Sequence, residues 1–125
     1  MDEKFPLGPK GPSIEQIDEW KKQHGLAKLK HLSFNKGDAD ELVVVYRPVK
    51  YAEFKKLQGM AEAAARTEEG IPESQKLNEL LSAAVLWPKD YREGLGMKLA
   101  GVPGVVADAI LQCSGFANVS APEDI

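Results

Sequence analysis

Side chains able to do acid–base or nucleophilic chemistry are few in this chain, and their settings favour structural roles. Adjacent carboxylates occur as Asp18-Glu19, Glu68-Glu69 and Glu123-Asp124. A catalytic pair needs one member desolvated so that the two pKa values separate. These three fall on the polar side of a helical pattern, in a loop and in a polar tail, where solvated surface is the default. The one cysteine, Cys113, lies at helical spacing with Ala109 and Ile110. There a thiol behaves as a small buried hydrophobe, and a nucleophile would need a base beside it. His24 and His31 are both distant from Cys113 in sequence and have no Cys or carboxylate partners at metal-ligand spacing. His24 suits a helix C-terminus, and His31 a strand surface. Gly94-Leu95-Gly96 and Gly101-Val102-Pro103-Gly104 share only glycine with phosphate-binding loops, since neither follows a strand nor ends in Gly-Lys-Ser/Thr. The pattern predicts no catalytic residue, no cofactor and no metal ligand.

What remains is contact chemistry. Arg47, between Tyr46 and Pro48, is expected to project from the end of a sheet and clamp a carboxylate of its own chain or of a partner. Trp87 ends a helical pattern just before Pro88, a place for a wedge between helices or an exposed contact. Trp20, Tyr46, Tyr51 and Tyr91 fall at core periodicity, which favours packing over a stacking platform. Asp108, between Ala107 and Ala109, is expected to pair with Arg92 or Lys98. Phe5 and Leu7 stand alone in a Pro/Gly-rich arm, and Leu29, His31 and Phe34 line an amphiphilic strand. The predicted partner-binding residues are Phe5, Leu7, Leu29, His31, Phe34, Arg47 and Trp87.

The elements that position these residues belong to a single domain, because 125 residues suffice for one hydrophobic core. A net charge of −3, with lysines interleaved among glutamates, argues against general nucleic-acid affinity. A lone cysteine forms no intrachain disulfide and fits a reducing compartment. The opening MDEKFPLGPKGPS lacks the apolar run of a signal peptide, and no stretch approaches membrane-spanning length. A cytoplasmic protein is expected.

Residues 1–12 read as an extended arm, 13–116 as one α+β domain and 117–125 as a polar tail. Ser13 and Gln16 form a capping box for a helix over about Ile14–His24, with Gly25 as its left-handed stop. The segment AKLKHLSF reads as a partly exposed edge strand, followed by an Asn35–Asp38 turn and a second strand over Leu42–Arg47. Two strands alone are marginal in water, so helices must cover the hairpin or another chain must extend it. Period changes at Arg47-Pro48, after which Tyr51, Phe54 and Leu57 recur at helical spacing. Gly59 is a place for a kink. Ser74 is expected to cap a helix that buries Leu77, Leu80, Leu81, Ala84 and Val85 and runs to Pro88. A short helix from Asp90 with Tyr91 and Leu95, and a last one from Pro103 to a Gly115 stop, complete an N-terminal helix, a β-hairpin and a bundle of three to four helices.

From Ile14 to Phe116 the layout resembles the tail assembly chaperones of tailed bacteriophages. IDEWKKQHG, then VVVYRPVKYAEFKKL, then LLSAAVLWPKD and a terminal helix ending CSGF carry the resemblance. That family's central motif is an aromatic-Arg-Pro turn, a capping Thr and an Ala-Glu-aromatic run. Tyr46-Arg47-Pro48 and Ala52-Glu53-Phe54 match it, while Val49 and Lys50 stand where the Thr would be. The resemblance implies a non-enzymatic morphogenesis protein that binds tape-measure or tail-tube proteins in the host cytoplasm, without cofactor, nucleic acid or membrane. A structural virion subunit (tail, neck or baseplate) and a small host-directed binding protein or inhibitor are the alternatives. Self-association is left open.

Overall fold

The computed structural model describes residues 4–25, 29–67, 71–94 and 101–116. Its order is α1 (Ile14–Gln23), β1 (Lys30–Phe34), β2 (Leu42–Tyr46), α2 (Tyr51–Thr67), α3 (Glu73–Leu81), a 3-10 turn (Ser82–Ala84), β3 (Val85–Trp87) and α4 (Val102–Leu111). A last turn, Gln112–Phe116, kinked at Gly115, ends the described chain. The fold is α+β.

The strands form one antiparallel sheet in the order β1-β2-β3. In β1–β2 the register pairs Lys30 with Tyr46, Leu32 with Val44 and Phe34 with Leu42 on one face, and His31 with Val45 and Ser33 with Val43 on the other. Apolar LVVVY is the signature of a strand covered on both faces, and Val43 through Tyr46 are all buried. On the first face, Val44 and Tyr46 join Leu57, Ala61, Leu80, Leu81, Val106 and Ile110 in the main core, with Leu32, Phe34 and Leu42 packed against it. The arm and α1 lie on the second face. Trp20 of α1 packs at a tilt against Trp87, which pairs with Val45, and Pro12 is fully buried.

Several expectations are corrected. The helix predicted to run to Pro88 stops at Leu81, because Val85–Trp87 forms β3 along the second edge of β2. A short apolar run at mixed spacing fits helix and strand alike, and the open edge of β2 decides it. Its start is also different: Pro72 is the N-cap, and α3 begins at Glu73, one residue before the expected Ser74 cap. Gly59 breaks nothing, since α2 is continuous from Tyr51 to Thr67. Glycine costs a helix only about 1 kcal/mol, and burial of Leu57 and Ala61 on either side outweighs that. The expected Asp90 helix is, as far as Gly94, a set of turns closed by Gly94 N–H to Asp90 O at 3.0 Å. Leu95 and Lys98 lie outside the described residues, as does the 117–125 tail. Asp108 is exposed, and its expected Arg92 pairing is not formed. Among the described residues, no helix is long and apolar enough to cross a membrane.

Other readings hold. Ser13 Oγ accepts the Gln16 N–H at 3.2 Å, and Gly25 follows α1 at φ +60°. Pro103 opens α4, and Gly115 turns the chain at φ +98°.

Candidate contact cleft

The junction between β2 and α2 is pinned twice. The Arg47 guanidinium donates to both Glu53 carboxylate oxygens, at 2.8 and 2.9 Å, and to Pro48 O at 3.1 Å. Hydrogen bonding to Arg47 is the main cause that holds the Glu53 carboxyl below its ordinary value, and the pair raises Arg47 in turn. Arg47 therefore clamps a carboxylate of its own chain. From the other side, Val49 N–H donates to Ser114 Oγ at 2.8 Å, and that hydroxyl donates to Ile110 O at 2.6 Å. The glycine at 115 is what turns the chain there, since φ near +98° is a conformation that a β-carbon disfavours.

This turn brings Phe116 back over the first turn of α2. Its ring lies 4.8 Å from that of Phe54, tilted by 50°. Beside this pair opens a cleft of about 180 Å³, lined by Val49, Lys50, Tyr51, Phe54, Ser114, Gly115 and Phe116. Tyr51 is 78% exposed and Phe116 58%, the two most exposed large apolar side chains among the described residues. Lys55 Nζ stands 5.9 Å from the Tyr51 ring centroid, within cation–π range.

Tyr51 was expected in the core, and its exposure corrects that. At about 100° per residue, spacing of three drifts backward, so Tyr51 lies roughly 120° around the helix from Leu57. The core stripe runs instead through Leu57 and Ala61. That drift was readable. Phe116 is not among the predicted contacts, and its packing on Phe54 of a different helix carries no local signal.

The structure disperses the residues that were predicted as contacts. Trp87 is neither a helix-end wedge nor a free contact: half-buried on β3, it places its ring centroid 6.4 Å from that of Trp20 at a tilt of 59° and donates its indole N–H to Lys10 O at 3.0 Å. Phe34 is half-buried against the core, and Leu29 is half-buried ahead of β1. His31 is exposed and, with Ser33, faces Leu7 and neighbouring arm residues across a groove of about 560 Å³. Phe5 sits at the arm's surface, where its carbonyl accepts the Gly8 N–H at 3.0 Å. The arm is folded onto its own domain: Ile14 N–H reaches Lys4 O at 2.7 Å, and the Lys10 ammonium reaches Ala39 O.

Elsewhere, burial raises the phenols of Tyr46 and Tyr91, the latter to about 12, and chiefly burial raises the Cys113 thiol. Cys113 Sγ donates to Ile110 O at 3.2 Å. Each of these shifts keeps the group protonated and unreactive at neutral pH. Among the described residues, no three His, Cys, Asp or Glu side chains converge on a point where they would hold a metal ion. The cleft offers an apolar socket with a cationic rim. Comparison with protein-family models, with curated proteins and with solved structures found no match.

Proposed function

We propose that this chain is a non-enzymatic protein of bacteriophage tail morphogenesis that binds other tail proteins in the host cytoplasm, as its resemblance to tail assembly chaperones implies. The supporting observation is the aromatic cleft. Two large rings left in water side by side, Tyr51 and Phe116, form the kind of exposed apolar patch that marks an interaction surface. Weak, repeated contact with apolar-rich segments, such as those of a tape-measure protein, would use such a socket. The Ser114 hydroxyl in its lining already donates to Ile110 O and accepts from Val49 N–H, so it is spent on structure.

The alternative is a structural virion subunit; the described arm contacts are with its own domain. Co-expression with the tape-measure protein, followed by size-exclusion chromatography, tests the reading. The expected result is co-elution of the two chains; a monomer that never associates contradicts it. Stoichiometric recovery in purified particles would instead favour the virion subunit.

A further inference from the structure

We propose that the Tyr51–Phe116 cleft recognises an acidic peptide segment carrying one large apolar side chain. This rests on the binding role above and specifies the chemistry of the partner. A volume of about 180 Å³ walled by Val49, Phe54 and Phe116 accommodates a side chain of leucine or phenylalanine size. The Val49 N–H and the Ser114 hydroxyl at its floor are bonded to each other. The floor therefore rewards an apolar group over a polar one.

Charge selects the rest. Lys50 lines the cleft, and Lys55 holds its ammonium near the Tyr51 ring. The carboxylate on the same helical turn, Glu53, is neutralised by the Arg47 fork. A chain of net charge −3 thus presents a positive rim at its most exposed aromatic patch. Acidic segments are repelled by the molecule as a whole and attracted at this rim, which gives orientation as well as affinity. The rings are tilted by 50°, which forms a socket rather than the flat face that would stack a nucleobase.

The test is an NMR titration of the full chain that reads the ring resonances of Tyr51, Phe54 and Phe116. Three probes are used: a short synthetic peptide with a central Leu or Phe among glutamates, the same peptide with lysines replacing the glutamates, and a single-stranded oligonucleotide. The acidic peptide is expected to shift these rings and to bind roughly tenfold more tightly than the lysine peptide, with the advantage shrinking at high salt. In the Lys50→Glu/Lys55→Glu variant the preference reverses, a gain for the basic peptide that misfolding would not produce. Equal affinity for both peptides overturns the acidic class and leaves the binding role standing. Preference for the oligonucleotide overturns the partner class. Silence of the rings toward every probe overturns both this proposal and the cleft's role in binding.

Discussion

The Trp20–Trp87 and Phe54–Phe116 pairs have similar geometry, with ring planes tilted by 59° and 50°, yet they serve opposite purposes. Trp20 is 6% exposed, and the Trp87 indole is bonded to the arm backbone, so that pair locks the arm and α1 against the sheet. The phenylalanine pair packs Phe54 against the main core and leaves Phe116, beside Tyr51, in water. The difference teaches that aromatic spacing marks where rings occur. Whether a ring becomes glue or contact surface depends on what the tertiary fold lays over it.

Trp20→Ala is the largest test of the contrast. Removing a buried ring is expected to cost about 3–5 kcal/mol in chemical denaturation. A loss as small as that of a surface substitution would show that the tryptophan pair does not hold the arm. Next comes Trp87→Phe, which keeps a ring and deletes the N–H donor to Lys10 O. The expected cost is about 1 kcal/mol, and faster amide exchange in the arm than in α2 would locate it.

The cleft's frame is tested by pH. Glu53 is depressed in the folded chain, so its contribution is fully present above the ordinary value of 4.5 and is lost as pH falls through the lower folded value. Because the pair is partly exposed, the loss is about 1 kcal/mol. Glu53→Gln should be less stable at neutral pH and should lack that acid-side decline. An unchanged pH profile in the variant would show that Arg47 and Glu53 do not grip each other in solution. The smallest effect is expected at the cleft itself: Tyr51→Ala should change stability by no more than about 0.5 kcal/mol, read by thermal melting.

Much of the scaffold was legible from residue order. Ser13, Gly25 and Gly115 punctuate helices through local backbone chemistry, and LVVVY declares a strand covered on both faces. The third strand was not, because three residues of VLW carry no period of their own and pair only once β2 offers an edge. The cleft was half legible. Phe54 and Gly115 were noticed for packing and turning, but the cleft exists only because residues 49 and 114 meet across 65 positions. No local pattern encodes that meeting. Arg47 shows the same limit, since its type announced a carboxylate clamp and the fold alone chose Glu53.

The central claim is that Tyr51 and Phe116 are kept in water for another polypeptide. Its most direct test is capture of the tape-measure protein by the wild-type chain and by a Tyr51→Ala/Phe116→Ala variant at matched concentration, with melting recorded for both. The wild type should retain the partner, and the variant should lose most of it while melting within a few degrees of wild type. Undiminished capture by a folded variant would contradict the claim.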